Sequence, residues 1–287
     1  MNRMLITGGH GFFASRLARF LKSEWEIDAP GHQQLNCTEG PSVDAYISAL
    51  NPDVIVHAAA IASTAFCNSH PDIAYAVNVD GSINVARAAK RRHAKLIFLS
   101  TEQVFNGTPE SGPYSEMDMA VPDTVYGANK LEAEKLLLEI TDEIWILRLT
   151  WMFGMPEMDS HMSYGILWDT IVSLINGKKI IASPHEYRGM TYVQDMLENI
   201  PKLMNAPYGI YHMGAANHLN RYETVRHILT LLGQKSRLSE ILEEDTTHYL
   251  NHDRDIRLNT KKASSFGMTW TDTDAALERC LRDFGII

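Results

Sequence analysis

The fold is decided by residues 4–11, which read MLITGGHG. This short apolar run stops in a glycine-rich turn, and apolar residues at helical spacing follow over positions 13–21. A strand, a glycine turn and a helix in this order aim backbone N–H groups and a helix N-terminus at a phosphate. Ala14 follows Gly8 and Gly11, so the spacing is GxxGxxA rather than GxGxxG. The turn indicates a dinucleotide site, although a glycine turn after a first strand also occurs without a ligand.

The alternation of strand and helix continues to about residue 150. Continuous apolar runs predict further strands at 25–29, 53–60, 95–100 and 144–149. Helices are expected at 43–50 and 73–91, and a third ends near residue 140. This order predicts an α/β fold, a doubly wound parallel sheet of the Rossmann type. Ligands of such sheets bind at the carboxyl ends of the strands.

Beyond residue 155 the alternation of strands and helices becomes less regular. Helices are expected at 164–176, 193–204, 222–232 and 274–284, and strands at 179–181 and 209–213. We therefore expect a dinucleotide-binding domain over residues 1–155. A smaller mixed substrate-binding lobe is expected over 156–287, with some of its segments returning to the sheet.

Composition limits the partners and the compartment. The 287 residues include 35 acidic and 26 basic side chains, and the formal charge of −9 argues against a general nucleic-acid or anionic-membrane surface. Cys37, Cys67 and Cys280 form no CxxC pair, so neither a disulfide framework nor structural zinc is expected, and a reducing cytoplasm fits. The strand-like start leaves no room for a signal peptide, and no apolar run approaches the ~20 residues that span a bilayer. We expect a cytoplasmic protein.

Tyr126 and Lys130 are a candidate pair for proton transfer. Residues four apart on a helix lie on one face, and a nearby cation favours the ionised form of a phenol, whose ordinary pKa is about 10. Such a pair can protonate a carbonyl oxygen or deprotonate an alcohol. The same spacing also arises by chance on many exposed helices. What raises the pair above chance is that the predicted sheet places Thr101 and the glycine turn at the same edge.

Longer stretches of the sequence resemble a known family. Residues 7–14, 58–60 and 100–101, with Tyr126 and Lys130, resemble the extended short-chain dehydrogenase/reductase superfamily. Finer features resemble its dTDP-4-dehydrorhamnose reductase branch, and they lie at 51–60, 74–81, 100–107 and 148–154. The similarity is nearly continuous from residue 3 to about 155. After that it is limited mainly to residues 188–195 and 209–214.

The resemblance implies hydride transfer between a nicotinamide cofactor and C4 of a nucleotide-linked 4-keto-6-deoxy sugar. By that analogy Tyr126 protonates the keto oxygen, and Thr101 forms a hydrogen bond with the same oxygen. Lys130 would hold the nicotinamide ribose and lower the pKa of the tyrosine. Two hydroxyl groups and a cation around one oxygen suit the charge that develops there. The expected activity is that of an NAD(P)-dependent oxidoreductase with these three catalytic residues.

The two residues after Thr101 differ from those of the reductase branch, and the difference bears on which reactions are expected. The reductases carry Asp-Tyr after the threonine and the related 4,6-dehydratases carry Asp-Glu as acid and base, whereas this chain has Glu102 and Gln103. The amide of Gln103 cannot titrate, so elimination of water by that route is not expected. Glu102 can bind sugar hydroxyls, and it can equally be a solvated carboxylate at a strand end.

The resemblance also implies a cofactor site. Its members are Gly8, Gly11, Phe12, Phe13, His32, Asn36, Cys37, Ala58, Ala59, Ala60, Tyr126 and Lys130. A carboxylate at the tip of the second strand would bind the ribose 2′-OH of NAD, but Gly31 and His32 stand at that tip and Asp28 comes earlier. The sequence therefore slightly favours NADP(H) over NAD(H), with His32 either near the 2′-phosphate or simply exposed in a loop.

The expected substrate-binding residues are Thr101, Glu102, Trp151 and Arg188. Trp151 matches a position that meets the sugar, and it would suit a buried core as well. Arg188 can pair with the diphosphate of a nucleotide sugar or form an exposed salt bridge. The twelve histidines show no HExxH or similar spacing, so no metal site is expected.

Two other functions stay open at this point. A nucleotide-sugar epimerase would use the same pair with tightly held NAD. A non-catalytic subunit is the other alternative, since the regulatory subunit of methionine adenosyltransferase resembles this branch too. The intact Thr101, Tyr126 and Lys130 argue against a purely structural role. A homodimer is the base-rate expectation for the assembly.

Overall fold

The computed structural model describes residues 1–158, 160–162 and 165–287. In chain order the strands are β1 (Arg3–Thr7), β2 (Glu26–Asp28), β3 (Val54–His57), β4 (Lys95–Thr101), β5 (Ile144–Leu149), β6 (Trp151–Phe153), β7 (Ile180–Ala182), β8 (Glu186–Tyr187), β9 (Met190–Tyr192), β10 (Gly209–Met213), β11 (Leu242–Glu244) and β12 (Arg254–Asp255). The helices are α1 (Phe12–Leu21), α2 (Gly40–Leu50), α3 (Thr64–Ser69), α4 (Pro71–Tyr75), α5 (Gly81–Arg92), α6 (Val125–Ile140), α7 (Ile166–Ile175), α8 (Val193–Leu203), α9 (Arg221–Leu231), α10 (Leu238–Ile241), α11 (Lys261–Ser265) and α12 (Thr273–Asp283). No helix in these ranges has the length and apolar character needed to cross a membrane.

Six parallel strands form the central sheet in the order β2-β1-β3-β4-β5-β10. Because β1 lies between β2 and β3, successive strands are added on opposite sides of β1. A crevice is expected at the carboxyl ends of the strands where the direction reverses. β10 returns from the second half of the chain and pairs with β5. The prediction of a doubly wound parallel α/β sheet is confirmed.

Alternate residues of the inner strands face two separate hydrophobic clusters. Met4 and Ile6 of β1 belong to one cluster, and Leu5 between them belongs to the other. Both faces of the strands are therefore covered by helices. This explains why their sequences are continuously apolar instead of alternating with polar residues.

The second half of the chain adds two-stranded parallel ladders, β6 with β9, β7 with β11 and β8 with β12. Its helices α8, α9 and α12 begin and end within one residue of the expected 193–204, 222–232 and 274–284. The helix expected at 164–176 starts on Tyr164, which lies outside the described residues, and its described part is α7. The division into a 1–155 domain and a 156–287 lobe stays a prediction.

The helix expected at 73–91 is divided. Its first residues belong to α4, and a π-helical turn at Ala76–Asp80 separates α4 from α5. Pro71 is the first residue of α4, where its missing N–H leaves no hydrogen bond unmade. In the π-helical turn, the Asn78 side chain accepts the N–H of Ile61 over 2.8 Å and donates to the Ile61 carbonyl oxygen over 3.0 Å. The loop after β3 is thereby fixed to the turn.

Candidate active site

The glycine turn after β1 has the backbone geometry of an anion site. Gly8 has a φ of +66°, and the N–H of Gly11 donates to the Gly8 carbonyl oxygen over 2.8 Å. α1 begins at the next residue, and its first turn contains no carboxylate side chain. The N–H groups and the positive dipole end of α1 can therefore bind a phosphate at the carboxyl end of β1.

We expect Gly8→Ala to weaken both folding and dinucleotide binding. A Cβ at Gly8 would stand 2.8 Å from the Cα of Ala59, and the positive φ adds strain of about 1–2 kcal/mol. Gly177→Ala is the matched control, because Gly177 has a φ of +61° with open space around it. In urea unfolding, the loss of stability in Gly8→Ala should exceed that of the control by about 1 kcal/mol or more. Equal losses in both variants, or full NADPH affinity in Gly8→Ala, would contradict this role of the turn.

A cavity of about 830 Å³ adjoins the glycine turn. Its lining includes the predicted cofactor residues Gly8, Gly11, His32, Asn36, Cys37, Ala58, Ala59 and Ala60. Phe12 and Phe13 do not line this cavity. Both side chains are buried in the hydrophobic core, and only their backbone lies at the start of α1. Tyr126 and Lys130 are buried on α6. The cavity has the volume that a small-molecule cofactor requires.

A buried hydrogen-bond chain supports the strip after β3 that lines the cavity. Nδ1 of His57 lies 2.7 Å from the Thr7 hydroxyl, and Nε2 lies 3.0 Å from the hydroxyl of Ser82, which donates its own proton to a backbone carbonyl. Nε2 is therefore the protonated nitrogen, and Nδ1 accepts from Thr7. The N–H of Ala59 donates to the Thr7 oxygen over 3.3 Å. Burial, followed by the charge of Lys130, lowers the pKa of His57 to about 3, so this histidine is a neutral structural group.

A close contact brings α6 to the end of β4. The helix starts after Thr124, whose hydroxyl accepts the N–H of Gly127 over 3.1 Å. A Cβ at Gly127 would stand 2.5 Å from the carbonyl oxygen of Gln103, so glycine is required for this close approach. Thr101 ends β4, and its Oγ1 accepts the N–H of Gln103 over 3.2 Å. Because Oγ1 only accepts in this bond, the hydroxyl proton of Thr101 can be donated elsewhere, and the Tyr126 phenol lies within hydrogen-bond reach.

Burial controls the ionisation of the predicted catalytic pair. It raises the pKa of the Tyr126 phenol above its ordinary value, and proximity to Cys67 adds to this effect, whereas contact with the Thr101 hydroxyl opposes it. Burial also lowers the pKa of Lys130 to about 7, against the attraction of Glu134. The expectation that Lys130 lowers the tyrosine pKa is therefore not met. Desolvation outweighs a lysine charge that burial itself has weakened, and the phenol keeps its proton at neutral pH.

Lys130 lies in a buried array of charges that the sequence analysis missed. Its Nζ lies 4.1 Å from the ring centroid of Phe98 on β4. One helical turn later, Glu134 accepts hydrogen bonds from Arg148 at 2.7 and 3.1 Å and another from Ser100. The side chains of Glu134 and Arg148 are 2% and 5% exposed. The ion pair connects α6, the helix with Tyr126 and Lys130, to β5 of the sheet.

Glu102 and Arg188, both expected to bind substrate, bind each other. Nε of Arg188 donates to Oε1 of Glu102 over 3.0 Å, and Nη2 donates to the same oxygen. Glu102 is 1% exposed, and within the described part of the chain its Oε2 has no hydrogen-bond partner. Burial raises the pKa of Glu102, and Arg188 opposes the rise. The Arg188 guanidinium lies 4.6 Å from the ring centroid of Trp151, so three of the expected substrate residues form one cluster, in which Glu102 is buried and the other two are partly buried.

A second cavity of about 640 Å³ opens beside this cluster. Arg188, Arg221 and Arg254 line it, and they lie 3.9, 3.1 and 2.6 Å from the carboxylate of Glu186. The cavity lining as a whole contains six carboxylates against these three arginines, but around Glu186 the guanidinium groups outnumber the carboxylates. Arg221 and Arg254 come from α9 and β12, and the sequence analysis did not select them. Over the residues that the structure covers, no cluster of three or more His, Cys, Asp or Glu could hold a metal ion.

Comparison with known proteins decides the family. The family model described as the RmlD substrate binding domain matches residues 1–286. This chain belongs to that family. A dTDP-4-dehydrorhamnose reductase of Aggregatibacter actinomycetemcomitans is 33% identical over 223 residues, which cover 74% of this chain and 73% of that protein. The methionine adenosyltransferase 2 subunit beta of Xenopus tropicalis is 30% identical over 235 residues, which cover 77% of this chain and 69% of that protein.

Solved structures show the fold of the RmlD family over the whole chain. The crystal structure of a dTDP-4-dehydrorhamnose reductase from Bacillus anthracis in complex with NADP matches with a TM-score of 0.86 at 24% identity, and the match covers 99% of both chains. The resemblance to the dTDP-4-dehydrorhamnose reductase branch, inferred from the sequence, is confirmed by the family match.

Proposed function

We propose that this protein is an NADPH-dependent reductase of the C4 keto group in a nucleotide-linked 4-keto-6-deoxy sugar. The observation that carries the proposal is the buried pair of Tyr126 and Lys130 on α6, which packs beside Thr101 at the carboxyl end of β4. The reductase among the curated relatives supports the substrate class.

The residues present fit a dinucleotide. The cradle at Gly8, which a single Cβ would fill, and the N-terminus of α1 would hold its phosphates. The cavity beside Asn36 and Ala58 has room for its adenosine. Lys130 would hold the ribose next to the nicotinamide. When bound, the reduced nicotinamide supplies the hydride that the keto carbon receives.

Proton transfer falls to Tyr126. Because burial keeps the phenol protonated at neutral pH, it can give its proton to the keto oxygen as negative charge develops there. Thr101 donates its available hydroxyl proton to the same oxygen, since its Oγ1 already accepts from Gln103. Protonated Lys130 stabilises the phenolate that remains.

The arginine-lined cavity supports recognition of a nucleotide diphosphate. Arg188, Arg221 and Arg254 present guanidinium groups to it around Glu186, and a guanidinium group can bind phosphate oxygens through two parallel hydrogen bonds. Glu102, which is 1% exposed, would hold the Arg188 guanidinium in place from behind and would not meet the sugar itself. The Arg188 guanidinium lies over the Trp151 ring, and this contact would orient it toward the bound nucleotide sugar.

We expect Arg221→Met to raise the KM for the nucleotide sugar about tenfold with little change in kcat. The variant loses a charge-assisted contact with the diphosphate, of about 1.5 kcal/mol or more, from a side chain that is 40% exposed. Arg237→Met is the matched control, because Arg237 is 53% exposed and pairs with Glu240. KM is measured at saturating NADPH. An unchanged KM in Arg221→Met would show that Arg221 does not contact the substrate.

We further propose that NADP(H) is preferred over NAD(H). His10 and His32 line the cavity beyond the tip of β2, and the imidazole of His10 lies against Gly31. Imidazole N–H groups suit a 2′-phosphate at this point.

A cytoplasmic location and a homodimeric assembly complete the proposal. All three cysteines are free and buried, which fits a reducing compartment. A homodimer is the commonest closed assembly of soluble enzymes. Size-exclusion chromatography with light scattering checks the assembly.

The proposed activity is tested by NADPH oxidation with dTDP-, GDP-, UDP- and CDP-linked 4-keto-6-deoxy sugars. At least one of them should be reduced. A regulatory subunit is the second candidate, favoured by the methionine adenosyltransferase relative, and it predicts no turnover and co-purification of a catalytic partner. An epimerase would isomerise the sugar without net consumption of NADPH.

A further inference from the structure

Gln103 joins the residues proposed for proton transfer to the arginine-lined cavity. Its backbone N–H donates to Oγ1 of Thr101 over 3.2 Å, and a Cβ at Gly127 on α6 would stand 2.5 Å from its carbonyl oxygen. Its partly buried side chain lines the cavity of about 640 Å³ together with Arg188. The main chain of Gln103 therefore contacts both the end of β4 and the helix of Tyr126, while its side chain belongs to the cavity wall.

A hydrogen bond from α3 orients the Gln103 carboxamide. Oγ1 of Thr64, the first residue of α3, donates to Oε1 of Gln103 over 3.2 Å. The same helix contains Cys67, which packs with Tyr126 in one apolar cluster. Because Oε1 faces Thr64, the two N–H bonds of Nε2 are directed away from that hydroxyl. Both side chains line the cavity, so the Nε2 donors are available to a molecule bound there.

The location of Gln103 matches the place where the hexose ring would lie. In a nucleotide-linked 4-keto sugar, the ring connects the keto carbon to the diphosphate. With the keto oxygen at Thr101 and the diphosphate at the arginines, the ring passes Gln103. Glu102, the residue before it, is 1% exposed and bonded to Arg188. The carboxamide of Gln103 is thus the polar side chain after β4 that ring hydroxyls can meet.

We propose that Gln103 is a substrate-binding residue whose Nε2 donates a hydrogen bond to a ring hydroxyl at C2 or C3 of the hexose. Thr64 is the positioning residue that orients its carboxamide. C2 and C3 are the ring carbons between the keto carbon C4 and C1, which bears the diphosphate. The inference rests on the proposed reductase function and deepens it, because it names a residue that selects among sugars. A site that bonds a substrate hydroxyl discriminates against the analogue without it.

Gln103→Met tests the inference, because methionine keeps the length of the side chain and lacks the amide donors. kcat/KM is measured at saturating NADPH for the 4-keto-6-deoxy sugar that the parent reduces and for its 2-deoxy and 3-deoxy analogues. For the sugar with both hydroxyls, kcat/KM should fall about tenfold, since one hydrogen bond is lost. For the analogue that lacks the recognised hydroxyl, parent and variant should differ by less than about twofold.

Gln234→Met is the matched control. Gln234 is also partly buried, donates to the Leu232 carbonyl oxygen over 3.2 Å, and lies outside the lining of this cavity. Its kcat/KM should equal that of the parent for all three sugars. If circular dichroism shows Gln103→Met to be unfolded, Thr64→Val carries the same test. That variant removes the donor to Oε1, and kcat/KM should fall about threefold for the sugar with both hydroxyls only.

The outcomes separate the inference from the proposed function. A fall of equal size for all three sugars, or no fall for the sugar with both hydroxyls, overturns the role of Gln103 and leaves the reductase proposal standing. A parent chain that reduces no 4-keto-6-deoxy sugar overturns both.

Discussion

Tyr126→Phe is expected to lower kcat for sugar reduction about 10³-fold, within the range that a positioned general acid contributes. Phenylalanine keeps the ring that packs with Cys67 and Ala74 and removes the proton that the keto oxygen needs. NADPH affinity should be nearly unchanged, because the glycine turn and the cavity beside it lie on other elements. Steady-state turnover and direct NADPH titration measure the two quantities separately.

Tyr211→Phe is the matched control for this variant. Tyr211 is also buried, but it lies on β10, and its hydroxyl donates to the carbonyl oxygen of Pro207 over 2.7 Å. Removing that hydroxyl should cost about 1 kcal/mol of stability and leave kcat nearly intact. If Tyr126→Phe lost NADPH binding as severely as turnover, the role of Tyr126 would be structural.

The second large effect is expected on stability. Arg148→Met should lower the free energy of unfolding by about 3–5 kcal/mol, because it leaves the buried Glu134 carboxylate without its cationic partner. The pair joins α6 to β5, so the loss should also destabilise the helix that carries Tyr126 and Lys130. Urea unfolding followed by circular dichroism measures the change.

The double variant Arg148→Met/Glu134→Leu separates charge from packing. Replacing both members of a buried ion pair by apolar side chains is often close to neutral, so the double variant should recover most of the lost stability. Arg148 also lies 5.2 Å from the ring centroid of Phe105. If the double variant is as unstable as Arg148→Met alone, the lost stability comes from the packing of Arg148 on Phe105 and not from the unpaired Glu134 carboxylate.

The central sheet and the shared helix of Tyr126 and Lys130 could be predicted because their signals are local. A strand covered on both faces has a continuous apolar sequence, as in β3 and β4, and β1 to β5 follow one another along the chain. The glycine turn is specified by Gly8 and Gly11 within four residues. Tyr126 and Lys130 lie one helical turn apart, so their shared face follows from spacing alone.

The arginine cluster could not be predicted in this way. Arg221, Arg254 and Glu186 come from α9, β12 and β8, and the two strands are too short to show any periodicity. The prediction that Lys130 lowers the pKa of Tyr126 failed for a different reason. Spacing places Lys130 near Tyr126, but it says nothing of burial, and burial of both groups decides their ionisation.

The most direct test is NADPH oxidation by the purified chain with a dTDP-linked 4-keto-6-deoxy sugar, compared with Tyr126→Phe under the same conditions. We predict that the parent consumes NADPH in step with the formation of reduced sugar, and that Tyr126→Phe binds NADPH while turning over about 10³-fold more slowly. A parent chain that binds NADPH but oxidises it no faster than Tyr126→Phe with dTDP-, GDP-, UDP- and CDP-linked sugars would contradict the account.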